Sequence, residues 1–164
     1  MTVKKVQKLE IERKWLCLKT PSSTWLSSLA ISIEEITQWY DQSGARLRRI
    51  QKKDQGLSWV YTEKSQVKYG VRIEDEVACG DLISEGVFYP IKELAKTRFY
   101  LELNKRVWSA DLVYVEGKVV CIVEVELESE EELLSLKSCD PVFGEVMEIT
   151  DNMEWSSEKL AAKT

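Results

Sequence analysis

The 164-residue sequence contains no histidine. That excludes histidine metal ligands, Ser-His and Cys-His catalytic pairs, and imidazole proton shuttling. A resident metal would have to be held mainly by carboxylates, which favours magnesium or manganese over zinc. Seven glycines and three prolines are too few for a flexible tether, and no repeat or low-complexity segment interrupts the chain, so residues 1–164 read as one domain. The four cysteines, Cys17, Cys79, Cys121 and Cys139, show neither metal-clip nor redox spacing. They read as reduced thiols, which suits a cytoplasmic protein. The basic stretch Met1 to Leu9 lacks the apolar run of a signal peptide, and no segment approaches the length of a membrane span. Acidic residues outnumber basic ones by 28 to 23, a net charge of -5, which argues against general nucleic-acid binding.

What the sequence has in abundance is alternation with period two, the mark of strands. From Val6 to Lys19, Leu9, Ile11 and Trp15 fall on one face, and Glu10, Glu12 and Lys14 on the other. Further strands are predicted at Ala45–Lys52 and Leu57–Ser65, joined by a turn with Lys53, Asp54 and Gly56, and at Tyr69–Val77. A hairpin around Asn104 joins Lys96–Leu103 to Val107–Tyr114, and a turn at Glu116-Gly117 leads to Lys118–Leu127. Three segments read as helical. Ser32–Tyr40 has a capping-box pattern, Ser32 with Glu35, and apolar spacing at Ile33, Ile36 and Tyr40. Ala78–Glu85 ends at Gly86, and Ser129 precedes Glu130, Glu131 and Glu132, acids favoured at a helix start. The segment 144–161 is mixed and partly helical. The sum is an α+β fold whose antiparallel sheet can close into a barrel.

The charges on these strands come in like-signed pairs two residues apart: Glu10/Glu12, Arg46/Arg48, Glu74/Glu76, Lys96/Arg98 and Glu124/Glu126. On a single strand this is an ordinary solvated face. Repeated on strand after strand, paired like charges repel and need compensation. Two carboxylates find it around a divalent cation, and two arginines around a phosphate.

The ordered series carries a resemblance. Glu10-Ile11-Glu12-Arg13-Lys14 resembles the ExExK signature of the CYTH superfamily, the triphosphate tunnel metalloenzymes. Arg46-Leu47-Arg48 is similar to its RxR, Thr62-Glu63-Lys64 to its TxK, and Arg72-Ile73-Glu74-Asp75-Glu76 to its RxExE. Lys96-Thr97-Arg98-Phe99-Tyr100 resembles the KxRY segment, Trp108 with Asp111 its W..D, and Glu124-Val125-Glu126-Leu127 its closing ExEL. The tail departs from the pattern: Met147 follows Glu145-Val146 where a threonine is usual, and Trp155 and Ser157 stand where tyrosine and asparagine are usual.

The resemblance implies an eight-stranded antiparallel β-barrel, charged inside, with helices packed on its apolar outer face. Ile11, Trp15, Leu47, Val71, Ile73, Phe99, Leu101, Val123, Val125 and Leu127 would then form the outer wall. It implies a divalent-metal-dependent triphosphatase using Mg2+ or Mn2+ on inorganic triphosphate, tripolyphosphate or a related organic triphosphate. Glu10, Glu12, Glu124, Glu126 and Asp111 are the implied metal ligands, with Glu124 also a candidate to handle the attacking water. Arg46, Arg48, Lys64, Arg72, Lys96 and Arg98 are the implied phosphate clamps. Glu74 and Glu76 either orient those cations, join the metal site or form salt bridges. Lys14 is a candidate general base if neighbouring cations depress its pKa, and Tyr40 resembles a tyrosine that assists such a lysine; as a helix residue it would instead pack on the barrel. The expected partner is a small polyphosphate, with no nucleic acid or membrane, and a monomeric or homodimeric chain. Thiamine triphosphatase, class IV adenylate cyclase and a non-catalytic polyphosphate- or nucleotide-binding module are alternatives on the same scaffold.

Overall fold

The alternating run at the amino terminus forms β1 (Val6–Cys17) in a computed structural model that describes residues 6–164; Met1–Lys5, the start of the basic stretch, lie outside the described residues. Seven more long strands follow: β2 (Ser32–Tyr40), β3 (Arg46–Lys52), β4 (Leu57–Lys68), β5 (Val71–Cys79), β6 (Lys92–Leu103), β7 (Arg106–Val115) and β8 (Lys118–Glu126). They pair antiparallel in the order β6-β2-β3-β4-β5-β1-β8-β7, and β7 pairs back onto β6. The ring is a closed eight-stranded barrel, as expected. Two tight turns set its last registers. Asn104 and Lys105 both take positive φ (50° and 63°), as do Glu116 and Gly117 (47° and 76°), the combination a two-residue hairpin needs to match strand twist.

Two helical expectations are corrected. Ser32–Tyr40 is β2, not a helix: all nine residues pair with β6, and Glu34–Tyr40 also pair with β3. Its β-branched and aromatic residues, Ile33, Ile36, Thr37, Trp39 and Tyr40, suit a pleated strand, and pairing on both sides satisfies the backbone. Ala78–Glu85 is not a helix either. Ala78 and Cys79 end β5, and Asp81 closes a single turn by accepting from Ile83 N and Ser84 N at 3.1 and 3.2 Å before Gly86 (φ 71°) redirects the chain.

Three short helices are found among the described residues: α1 (Ser23–Leu29), α2 (Glu130–Ser135) and α3 (Ser157–Leu160). Ser22 and Ser129 cap the first two, accepting from Trp25 N and Glu132 N. Leu26 of α1, Leu133 of α2 and Phe143 pack on the outer barrel face against Trp15, Phe99, Leu101, Trp108, Val123 and Val125. Of the wall residues expected from sequence, all are buried except Ile73, which is half-buried. No helix among the described residues is long and apolar enough to cross a membrane.

The carboxy-terminal segment closes one end. β9 (Val146–Glu148) pairs with β1 at Trp15–Cys17, and β10 (Ala162–Lys163) pairs with β6 at Lys92 and Glu93. Between them, Ile149 and Ala161 pack with Leu16, Tyr40, Leu94, Val113 and Ile122, which continue the inward rows of their strands. The inner face thus turns apolar at this end, and the tail caps it.

Gly70, between β4 and β5, has φ 69°. A Cβ there would sit 2.8 Å from the Leu133 side chain and 3.0 Å from the Glu12 carbonyl oxygen. Gly70→Ala is therefore expected to lose about 1–3 kcal/mol of stability, checked by denaturant unfolding. No change in the unfolding midpoint would show that the turn relaxes freely.

Candidate active site

Register decides which residues look inward. Opposite Glu12 lies Glu126, opposite Lys14 lies Glu124, opposite Glu74 lies Lys64, and opposite Arg98 lies Asp111. All of these but Asp111 line a cavity of about 400 Å³ inside the barrel. Lys14, Tyr40, Arg46, Arg48, Lys64, Arg72, Lys96, Arg98, Glu10, Glu12, Glu74, Glu76, Glu124 and Glu126 all line it. Lys8 and Glu158 join them, neither expected from the sequence. A second chamber of about 750 Å³, bordered by the β6–β7 turn and by Glu128 and Glu132, shares Arg98, Tyr100, Glu124 and Glu126 with the first.

Most of the charges inside are paired. Lys64 Nζ lies 3.0 Å from Glu10 and 3.3 Å from Glu74, and Lys14 Nζ lies 3.3 Å from Glu124. Arg72 reaches Glu12 at 3.5 Å. Arg98 grips Asp111 with two hydrogen bonds, 2.7 and 2.8 Å, and Lys96 adds a third contact at 2.8 Å. Among the described residues, neither Arg46 nor Arg48 pairs with a carboxylate. Arg46 donates to Thr62 Oγ1 at 3.2 Å, and its Nε is buried without a partner. Arg48 donates to Gln38 Oε1 from Nε and Nη2, at 3.1 and 3.0 Å.

No family model and no curated protein matches the sequence. Solved structures do. The inorganic triphosphatase NE1496 superposes with a TM-score of 0.57 at 21% identity, over 93% of each chain. HpAC1 from Hippeastrum, assigned as an adenylyl cyclase and described as having a dominant triphosphatase activity, matches at 0.53 and 17%, over 76% of this chain and 82% of its own. A protein from Bacillus halodurans assigned as an adenylate cyclase matches at 0.53 and 17%, over 78% and 85%. The chain shares the fold of these proteins, a closed eight-stranded barrel around a tunnel. At these identities the likeness is one of architecture, and what happens in the tunnel has to be argued from its own side chains.

The tunnel's carboxylates divide in two. Burial works against an ionised Glu124, but Lys14, Arg98, Lys96 and Lys64 outweigh it and hold its pKa well below the ordinary value. Glu12 goes the other way, pushed up to about 8 by burial and by Glu124 and Glu10. Glu10 is raised by burial and by its contact with Glu74, and Glu126 by burial and by Glu10. Neighbouring acids that raise one another are short of positive charge, and their oxygen donors suit a hard divalent cation. As the side chains stand, no three acidic groups among the described residues converge as a metal site, because Lys64 and Arg72 occupy Glu10 and Glu12.

Three sequence expectations change. Lys14 does not have a depressed pKa. Burial lowers it, but the charges that dominate are Glu124 and Glu12, and they carry it above the ordinary lysine value. Tyr40 sits on β2 with its hydroxyl 2.6 Å from Gln38 Nε2, and no hydrogen bond joins it to Lys14 among the described residues. Asp111 lies behind the tunnel lining, 1% exposed, with its oxygens on Arg98 and Lys96.

The lysine with the lowered pKa is Lys96, brought to about 7 by burial, which Asp111 opposes, and by Arg98 and Arg48. Its neighbour Arg48 is brought down to about 9 by burial and by Arg46 and Arg98. In sequence, Lys96 belongs to one of several like-charged pairs; only the ring order reveals that a cation of β3 joins the one on its own strand beside it.

Proposed function

We propose that the chain is a divalent-metal-dependent triphosphatase that hydrolyses inorganic triphosphate, tripolyphosphate or a related organic triphosphate in its tunnel. The observation that carries the reading is the pair on β3, Arg46 buried and Arg48 half-buried, neither with a carboxylate partner among the described residues. β3 lies four strands from β8 in either direction round the ring, so these cations face the wall that carries Glu124 and Glu126. Arg46 and Arg48 lack an anion, and Glu126 has no ion-pair partner among the described residues and is raised by burial and by Glu10. A metal–triphosphate complex supplies both.

In this reading Arg46, Arg48, Arg72 and Arg98 hold phosphate oxygens through their planar forks, and Lys64 acts as a point charge. Glu10, Glu12 and Glu126 hold Mg2+ or Mn2+. Bound there, such an ion supplies charge neutralisation and a water of lowered pKa. Glu124, kept ionised by Lys14, accepts a hydrogen bond from the attacking water. Lys96 Nζ can exchange a proton near neutral pH, as can the metal-free Glu12, and it takes the proton-handling role expected of Lys14. Asp111 keeps Arg98 and Lys96 in place rather than ligating a metal. Phosphoryl transfer needs little beyond such positioning and neutralisation.

The test is phosphate release from tripolyphosphate, thiamine triphosphate and ATP, each with Mg2+ and with Mn2+. Release that chelation abolishes, with KM raised about tenfold or more in Arg48→Ala, is the expected result. Tripolyphosphate binding without release would favour a non-catalytic binder. Folded protein that neither binds nor cleaves any of the three sinks the proposal.

A further inference from the structure

Arg72 is held from three sides. Its Nε donates to Gln66 Oε1 of β4 at 3.1 Å, its Nη1 to Glu12 Oε1 of β1 at 3.5 Å, and its Nη2 to Asp151 Oδ1 at 3.4 Å. Asp151 belongs to no barrel strand. It follows Glu148, Ile149 and Thr150, a run that docks along the edge of β1. Glu148 pairs with Arg13 and accepts from the Tyr69 hydroxyl, Ile149 N donates to Lys14 O at 2.8 Å, and Thr150 Oγ1 accepts from Lys14 N at 2.9 Å.

Asp151 is also fixed at its other oxygen, where Gly70 N donates to Oδ2 at 2.6 Å. The Gly70 carbonyl in turn accepts from Glu12 N at 2.9 Å. One carboxylate thus ties the tail, the β4–β5 turn and a tunnel arginine together. Its backbone has φ 58°, a left-handed conformation that costs an L-residue energy. Glycine would sit there without strain, so the position retains a carboxylate at a conformational cost.

We infer that Asp151 is a positioning residue for Arg72: it fixes the guanidinium from the carboxy-terminal tail and leaves part of its donor fork for a phosphate. A guanidinium has five N–H groups. Three are used by Gln66, Glu12 and Asp151, which leaves one on each terminal nitrogen for a pair of phosphate oxygens. Without Asp151, Arg72 retains only Gln66 and the long contact to Glu12, and it can turn towards Glu12 and neutralise it. The tail then does more than cap the apolar end; its acid sets the aim of one phosphate clamp. The assignment rests on reading Arg72 as such a clamp.

The experiment compares Asp151→Asn with Glu148→Gln. Asparagine retains an oxygen for Gly70 N, so the turn survives while the charge on Arg72 is lost. Glu148→Gln weakens tail docking without touching Arg72. Asp151→Asn is expected to raise KM for tripolyphosphate about tenfold with kcat within about threefold, whereas Glu148→Gln lowers the melting temperature and leaves KM unchanged. An unchanged KM in Asp151→Asn, or an equal rise in both variants, overturns the inference. The Arg72 Nε–H resonance of the 15N-labelled protein gives a readout that needs no turnover: it should shift and exchange faster in Asp151→Asn only. If wild-type protein neither binds nor cleaves tripolyphosphate, the proposed function fails, and this resonance still decides whether Asp151 positions Arg72. A resonance unmoved by Asp151→Asn overturns it.

Discussion

Asp111→Asn is expected to cost about 3–5 kcal/mol of folding stability, the range for removing one member of a buried ionic cluster. Asp111 is 1% exposed and holds two cations, Arg98 at 2.7 and 2.8 Å and Lys96 at 2.8 Å. Burial opposes its charge, but Arg98 and Lys96 prevail and hold its pKa at about 2. The sign follows: a carboxylate depressed in the folded state stabilises above its unfolded pKa, near 3.9, and that contribution fades as pH falls through about 2. At neutral pH the whole contribution is therefore present to be lost. Without it, Lys96 and Arg98 would face Arg48 with only the more distant charge of Glu124, which Lys14 already pairs, to offset them. Lys96, already brought to about 7, can shed its proton and soften the loss; Arg98 cannot. Denaturant unfolding in metal-free buffer measures the difference, and a change below about 1 kcal/mol would contradict the expectation. Tripolyphosphate should restabilise the variant more than the wild type, because a bound polyanion replaces the missing charge.

Glu12→Gln is expected to divide stability from activity. Phosphate release should fall about 100-fold or more, since a neutral amide is a poor ligand for a hard cation. In chelator, the same variant should be more stable than wild type at high pH. Glu12 has a folded pKa of about 8 against an ordinary value of 4.5. Between these values the folded protein retains a proton that the unfolded chain has released, so the contribution of Glu12 to stability declines as pH rises through that window. Glutamine removes the decline. Above about pH 8 the gap should be on the order of 2–4 kcal/mol in favour of the variant, and near pH 5 it should vanish. Thermal unfolding across that range is the measurement. A gap independent of pH would show that Glu12 is not the titrating group, and activity above about a tenth of wild type would remove it from the metal site.

Much of the barrel can be read from alternation, because an inward charge and an outward hydrophobe two residues apart leave an unambiguous period. β2 fails that test for a physical reason. Its inward row is Ile36, Gln38 and Tyr40, and its outward row Ile33, Glu35, Thr37 and Trp39, so both rows mix apolar with polar residues and a helical spacing fits as well. Residue types at the site were equally accessible, since all the residues assigned to the tunnel line it except Asp111. What sequence could not give was who stands next to whom. The expected loss of charge at Lys14 assumed cationic neighbours, and register supplied Glu124 instead. Lys96 acquired them from β3 and from its own strand. Glu148, Thr150 and Asp151 act across more than 75 residues of chain and carry no local mark.

The hairpin turns at Asn104-Lys105 and Glu116-Gly117 have a consequence for how such a barrel can diverge. Each contains two residues, so each reverses the numerical parity of the inward row: even positions such as Lys96 and Arg98 on β6 give way to Ser109 and Asp111 on β7, and even positions return with Glu124 and Glu126 on β8. Substitution can retune any single position without disturbing this arithmetic. Deleting one residue within a strand cannot be so confined, because it exchanges the two faces of everything beyond it. In β5 it would turn Val71 and Ile73 into the tunnel and press Arg72, Glu74 and Glu76 against the outer packing layer. Lineages carrying this fold should therefore gain and lose residues at the connections, the longest between barrel strands being residues 18–31 and 80–91, while strand lengths change in steps of two.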